Sequence, residues 1–334
     1  MTNPQSPIPN LHFPITAASM RIVALSGGVG GAKLVDGLAS ILLPENLTAV
    51  VNTGDDFDHL GLRICPDLDS VLYALAGLEN PETGWGRADE TWNFLEALGS
   101  LGGPSWFKLG DRDLALHMER TRRLRRGEPL SVVTDYLRRA LGVKPSAIPM
   151  TDDEVSTVVV SSEGDLPFQE YFVARRCEPL VRGFRFVGIE RARPAPGVTE
   201  ALSAADLVVL CPSNPWVSMD PILAVPGVRE LVQAKPVVGV SPLVGGQALK
   251  GPAAKMAVEL GFAPTAYAIA EHYEELLTAL LIDAQDASLA PQIRSLGMQV
   301  DVTGIIMRTR EERASLAARV LDFAKGILSP KGAR

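Results

Sequence analysis

The chain lacks most of what would mark an extracellular, membrane or nucleic-acid-binding protein. Cysteine is scarce, 3 in 334 residues. No two are in CxxC spacing, so Cys65, Cys177 and Cys211 read as reduced thiols of a cytoplasmic protein. A basic excess is missing. Lys+Arg 32 against Asp+Glu 39 leaves a net charge of −7, which excludes phosphate-driven nucleic-acid binding as the default. No apolar run approaches the roughly 18 residues of a membrane-spanning helix. No Arg/Lys cluster precedes an apolar core at the N-terminus, so neither a membrane span nor a signal peptide is expected. His59, His117 and His272 show no HExxH or other metal spacing. No GxSxG elbow is present, which leaves no catalytic triad to assign.

The chain is rich in apolar residues, at 46%, and in Gly 30 and Pro 25. It is long enough to bury a large core without staples. Residues 1–19 carry four prolines and no period, and read as a loose tail; Met20, just before the first strand, is an alternative start. From Arg21 to Leu25 a short apolar run predicts a buried strand, followed by a glycine turn over Ser26–Gly31 and a helix over Lys33–Leu43. A second strand over Leu47–Val51 completes a βαβ pattern and implies a parallel sheet. The same layout returns at Asp206–Leu210, Pro236–Val240 and Gln299–Val302, with helices at Val228–Ala234, Pro252–Leu260 and Arg310–Ile327. Residues 85–145 carry helical signals at Glu90–Leu98, Asp111–Arg126 and Leu130–Leu141. They read as a helical insertion, a cap or a dimer contact, within a core formed by 20–84 and 146–330. Alternation in 155–187, including Phe168–Arg175, predicts a small antiparallel hairpin. The fold class is therefore α/β, a Rossmann-like three-layer core on a mainly parallel sheet. Length alone suggests about two domains, but the pattern is one interrupted core.

In open α/β sheets, ligands bind at the carboxyl ends of the strands. Four such ends here carry SGGVGG, NTGDD, CPSNP and SPLVGG. Glycines allow the backbone to approach a ligand, and a helix N-terminus favours phosphate. The first turn is neither GxGxxG nor a P-loop. Asp55, Asp56, Asp58, Asp67 and Asp69 cluster after the second strand, which suits Mg²⁺; Asp67 or Asp69 can equally cap the next helix. Asp111 or Asp113 can cap the helix that follows Lys108. The arginine run Arg120, Arg122, Arg123, Arg125 and Arg126 reads as a solvated face, with a diphosphate clamp as the alternative. Trp85, Trp92 and Trp106 are buried anchors or a stacking surface for a planar ring. Gly251–Lys255 is a second candidate anion site.

Taken together, several blocks resemble the 2-phospho-L-lactate transferase family (CofD in archaea, FbiA in actinobacteria) of coenzyme F-420 biosynthesis. They are SGGVGGAKLVDGL, LTAVVNTGDDFDHLGLRICPDLDSVLY, GWGRADETWN, KLGDRDLALH, PMTDDEVST, PFQEYFV, APGVTEAL, PSNPWVSMDPIL and SPLVGGQALKGPAAKM, in family order across most of residues 20–275. The resemblance implies a Mg²⁺-dependent homodimer. It would transfer a phospho-carboxylic acid, phospholactyl or phosphoenolpyruvyl, from a guanosine diphosphate conjugate to the ribityl hydroxyl of 7,8-didemethyl-8-hydroxy-5-deazariboflavin (Fo), releasing GMP. It also implies that Asp69 and Lys108 contact the deazaflavin. On that footing Asp55, Asp56 and Asp69 are the expected metal ligands, with Asp55 or Asp69 taking the hydroxyl proton. Gly28, Gly30, Gly31, Lys33, Gly251 and Lys255 would hold the diphosphate side, Ser213, Asn214 and Ser241 the nucleoside side, and Trp92 the flavin side. Two other readings compete: a YvcK-like, UDP-sugar-binding gluconeogenesis factor, which shares the glycine-rich start, and an NAD-dependent dehydrogenase with Asp55 on a ribose.

Overall fold

The computed structural model describes residues 20–249 and 251–328; the tail expected over 1–19 lies outside them. Along the chain the first strands are β1 (Ile22–Ser26), β2 (Leu47–Val51), the hairpin β3 (Phe57–His59) and β4 (Leu62–Ile64), and β5 (Ser146–Pro149). An antiparallel trio follows, β6 (Ser156–Ser161), β7 (Gly164–Pro167) and β8 (Val181–Val187). Then come β9 (Leu207–Leu210), β10 (Val237–Val240), the short pair β11 (Leu243–Val244) and β12 (Gln247–Ala248), β13 (Ala279–Asp283) and β14 (Gln299–Thr303). Seven of these form one sheet in the order β14-β13-β10-β9-β1-β2-β5, and every neighbouring pair is parallel.

Aliphatic, β-branched runs are what a parallel sheet covered on both faces requires. Ile22 and Ala24 of β1 point to one face, and Val23 and Leu25 to the other. The first face is covered by α1 (Gly28–Ile41), α2 (Pro66–Ala76) and the C-terminal helix (Arg310–Leu328), through Leu34, Leu38, Leu72 and Val320. The second face packs on the β6–β8 trio and on shorter helices, through Val159, Leu202, Ile222 and Ile269. Three layers result. The segment 85–145 contributes α3 (Asn93–Ser100), α4 (Asp111–Leu124) and α5 (Leu130–Ala140). Leu116, Val133 and Leu137 from it join the first core face, so α4 and α5 pack on the sheet layer.

Three expectations need correction. The first helix starts at Gly28, not Lys33, so the glycines form its first turn; the Asp67 carboxylate accepts the Gly28 N–H at 2.6 Å and supports that early start. Phe168–Arg175 is not a strand but contains a π-helical turn over Glu170–Ala174, with Tyr171 buried and Phe168 stacked on Phe172. The expected strands omit Ser146–Pro149 and Ala279–Asp283, which form β5 and β13 of the sheet; the apolar run 279–282 is too short for periodicity to separate it from a helix.

The chain runs from β1 to β2 on one side and later returns to β9 on the other. β1 and β9 therefore flank the topological switch point, where a ligand crevice opens beyond the strand ends. The C-terminal helix is locked to α1 by buried charge. Asp36 bonds Arg310 at 2.8 Å and Arg313 at 2.9 Å, and Arg313 also pairs with Glu79. No helix among the described residues is long and apolar enough to cross a membrane.

Gly37 faces the backbone carbonyl of Arg313 with no room for a Cβ. Gly37→Ala must push the two helices apart, and should cost about 1–3 kcal/mol. A urea titration of the variant is expected to show a lower midpoint with unchanged slope; an unchanged midpoint would refute the close helix–helix contact.

Candidate active site

A cavity of about 780 Å³ opens at the switch point. Its floor is the first turn of α1. The N-cap of that helix is Gly27, which offers no side-chain cap; the Gly28 N–H is taken by Asp67, and the other N–H groups of the first turn make an anion-favouring helix end. Gly30 stands against the Pro212 carbonyl where any Cβ would collide, and this closeness joins the β1 and β9 edges. Gly31 is packed beneath, its missing Cβ 2.5 Å from Ser26 Oγ and 2.6 Å from Ser213 Oγ. Gly28 and Gly30 line the cavity, whereas Gly31 supports the turn from behind.

The aspartates separate into three environments. Asp55 and Asp67 line the cavity and share one donor: Asn52 Nδ2 lies 2.5 Å from Asp55 Oδ1 and 2.9 Å from Asp67 Oδ2. Burial and the Asp67 charge hold the Asp55 carboxyl well above the usual range. Burial pushes Asp67 up to about 6, against the hydrogen bonds from Asn52 and Gly28. Asp69 also lines the cavity, but Arg120 grips both its oxygens, with Nη1 at 3.1 Å from Oδ2 and Nη2 on Oδ1. Asp56 lies behind the wall and faces a second, smaller cavity beside Thr53 and Arg63, where burial pushes it up to about 8.

These environments revise the expected metal set. Among the described residues no three His, Cys, Asp or Glu side chains form a ready cage. Mg²⁺ ordinarily takes one or two carboxylates and completes its shell with water and substrate phosphate. Asp55 and Asp67 fit that donor set: two buried, mutually repelling carboxylates with only a neutral amide between them. Asp69 is already compensated by a guanidinium, and Asp56 faces away.

The opposite wall is aromatic. Trp85, Trp106, Phe107, Phe168 and Phe172 line it. Trp92, the expected flavin-side residue, does not; it sits at the N-terminal boundary of α3, outside the cavity. Trp106 and Phe107 are seated on β3, with ring centroids 5.1 Å from His59 and 4.9 Å from Phe57. Burial lowers the pKa of His59. Lys108 enters the cavity wall next to these rings. Neither Asp111 nor Asp113 caps α4. Glu90 does so, accepting the N–H groups of Arg112 and Asp113 at 2.8 Å. Asp111 instead reaches back to Thr91, Asn93 and Phe94 at the start of α3.

The remaining expected residues divide. Lys33, Ser213, Asn214, Ser241 and Gly251 line the cavity. Lys33 Nζ donates to the Met307 carbonyl at 3.0 Å. Ser213 Oγ accepts the Gly27 N–H at 3.1 Å and so ties the turn after β9 to the turn after β1, whereas Ser241 Oγ donates to Leu243 O at 2.8 Å and braces its own turn. Asn214 caps the following turn through Trp216. Lys255 points elsewhere: it pairs with Glu259 at 2.5 Å and is not in the cavity wall. Residue patterning missed Asn52, Arg120 and His117. The last two had a signal, since Asp113, Leu116, His117 and Arg120 recur at helical spacing on one face of α4.

Comparison with known proteins gives the family and the fold. The family described as "2-phospho-L-lactate transferase CofD" matches residues 22–314. A "Phosphoenolpyruvate transferase" of Streptomyces coelicolor is 44% identical, covering 92% of this chain and 99% of that protein. A "2-phospho-L-lactate transferase" of Methanopyrus kandleri is 41% identical, covering 93% and 99%. Among solved structures, a UPF0052-family protein from Bacillus halodurans shares the fold at a TM-score of 0.59 and 15% identity, covering 90% of this chain and 98% of that one.

Two outcomes follow from the charges. Arg120→Met leaves Asp69 as an uncompensated buried charge and should cost about 3–5 kcal/mol, while Arg120→Met with Asp69→Asn should recover most of that loss; urea unfolding of both variants decides it. Asp56 binds its proton more tightly folded than unfolded, so its contribution is fully present below about pH 4 and lost as pH rises through about 8. Asp56→Asn, a permanently neutral mimic, should therefore match the parent at or below about pH 4 in EDTA and become progressively the more stable protein from there to about pH 8. Parallel melting curves across that range would refute it.

Proposed function

Because the chain belongs to the 2-phospho-L-lactate transferase CofD family, we propose that its cavity transfers a phospho-carboxylic acid from a guanosine diphosphate conjugate to a deazaflavin hydroxyl in coenzyme F-420 biosynthesis. The supporting observation is the meeting, in one cavity, of a glycine-opened helix N-terminus, the Asp55–Asp67 pair and an aromatic wall carrying Lys108. A dehydrogenase needs no such acid pair beside its glycine turn. The named relatives at 44% identity favour the phosphoenolpyruvyl donor.

In this reading Fo lies along Trp85, Trp106 and Phe107, which offer a flat apolar wall to its ring system, with Lys108 and Asp69 as polar contacts. The donor diphosphate lies over Gly28 and Gly30, towards the N–H groups of α1. Asp67 would be the carboxylate that holds Mg²⁺, which would supply charge neutralisation for the diphosphate, and Asp55 stays free to act as the base. Asn52 keeps the two carboxylates in register, engaging Asp55 through Oδ1; Asp55 Oδ2 takes the proton of the ribityl hydroxyl. The hydroxyl oxygen attacks the phosphorus that bears the carboxylic acid, the bond to the bridging oxygen breaks, and GMP leaves with that electron pair. Positioning and charge do most of the work in such a displacement. The aromatic wall keeps water from competing for the donor. We further propose that the protein works as a cytoplasmic homodimer.

Mass spectrometry of Fo, enolpyruvyl-diphosphoguanosine and Mg²⁺ with the protein is expected to show the transferred product and one GMP per turnover. Asp55→Asn should lower kcat by about 100-fold or more. Absence of GMP release, or saturable binding of UDP-sugars or NADH in its place, would overturn the transferase reading.

A further inference from the structure

Asp69 is not positioned by Arg120 alone. Arg120 Nη1, which bonds Asp69 Oδ2, also lies 3.1 Å from His117 Nδ1. A guanidinium can only donate, so the Nδ1 that faces it carries the lone pair and the ring proton sits on Nε2. On that side Asp113 Oδ1 stands 3.2 Å from Nε2. The contact is close but not aligned as a hydrogen bond, so Asp113 acts on the ring N–H by charge. Asp113 is itself fixed by the Tyr73 hydroxyl, which donates to it at 2.5 Å. His117 and Arg120 are each only 1% exposed. Such a buried series is an expensive way to fill space, since apolar packing would do as well or better. Its members Tyr73, Asp113, His117 and Asp69 all reach the cavity wall.

We propose that Asp113 and His117 are positioning residues for the acceptor. Asp113 by its charge and Arg120 as a donor together hold His117 as the Nε2–H tautomer, the free Nδ1 lone pair orients the Arg120 fork, and the fork sets where Asp69 meets the deazaflavin. The logic is that of a carboxylate fixing a histidine tautomer in a triad, turned to holding a guanidinium. The proposal rests on the acceptor reading given above. Its rival is also specific: Nδ1 lies 3.6 Å from Asp69 Oδ2, and an imidazolium would face Asp69 as a donor. That arrangement would set two donors, Nδ1–H and Nη1–H, against each other at 3.1 Å.

Two arms test it on the full chain. In ¹⁵N-histidine NMR of the apo protein, His117 should appear as neutral with its proton on Nε2. In Asp113→Asn the Arg120 fork still requires an acceptor at Nδ1, so the proton should stay on Nε2 while the Nε2 shift moves as the facing charge is lost. An imidazolium, an Nδ1–H ring in the parent, or an unchanged Nε2 shift in Asp113→Asn overturns the proposal. The second arm uses fluorescence titration with Fo and steady-state kinetics. His117→Asn places an amide oxygen near the Nδ1 position and can still accept from Arg120. His117→Gln places its amide near Nε2 and cannot. His117→Asn should keep Fo affinity within about threefold, whereas His117→Gln and Asp113→Asn should weaken it about tenfold or more, with KM for Fo rising more than kcat falls. Equal affinity for all three variants, or equal losses in His117→Asn and His117→Gln, overturns the positioning role. A parent protein that does not bind Fo overturns the acceptor reading, while the NMR arm still decides the tautomer lock.

Discussion

A guanidinium buried against one carboxylate governs how this molecule is put together. Arg120 is 1% exposed and sits inside the protein only because Asp69 meets it with both oxygens; removed from water without that partner it would cost several kcal/mol. Asp69 is on α2 and Arg120 on α4, so the pair fastens the helical segment to the sheet layer. Lys108 immediately precedes α4, and Trp106 and Phe107 precede Lys108. Seating α4 therefore also fixes the aromatic wall over the crevice. The pair has an electrostatic consequence as well. With Asp69 compensated from within the chain, the cavity's remaining carboxyl groups are Asp55, Asp67 and Asp113, and only Asp55 and Asp67 form a pair.

The parallel core was legible because each central strand is a short aliphatic run ending in glycine, asparagine or serine. Leu47–Val51 coincides with β2, and Val237–Val240 lies one residue inside the expected strand. Misreadings arose where tertiary contacts decide the local conformation. Gly28–Gly31 has no intrinsic reason to be helical, and its helical start is supported by a carboxylate 39 residues away. Phe168–Arg175 alternates like a strand, yet Phe168 and Tyr171 share one core cluster and Phe168 stacks on Phe172. A helical turn brings residues three and four apart together, whereas a strand sends residues three apart to opposite faces.

The site was legible as a location more than as a set of roles. Strand-end turns marked the crevice, and most of the expected residues do line it. Partners across the sequence were not visible. Nothing local to Asp67 and Asp69 distinguishes a carboxylate that shares Asn52 from one gripped by Arg120, since the two are neighbours on the same helix turn. Arg120 sits in a run of arginines of which Arg122, Arg125 and Arg126 are exposed and Arg123 is half-buried over Tyr136, and the average of the run hid the buried member. Trp92 was the tryptophan expected on the flavin side, but Trp85 and Trp106 line the cavity, with Trp106 docked on His59.

The difference between neighbouring acids also narrows the chemistry. A group that takes a proton during the transfer must be able to hold one near neutral pH. Asp69 is poorly suited, because protonating it would strand the Arg120 charge in the interior. Asp55 and Asp67 are suited, because burial and mutual repulsion already favour a proton on the pair. The same repulsion makes the pair receptive to a cation, which relieves it in the same way a proton does. Proton uptake and cation binding are thus alternative means of neutralising one pair of charges. Each is expected to weaken the other, and the donor diphosphate, with its own negative charge, shifts that competition towards the cation.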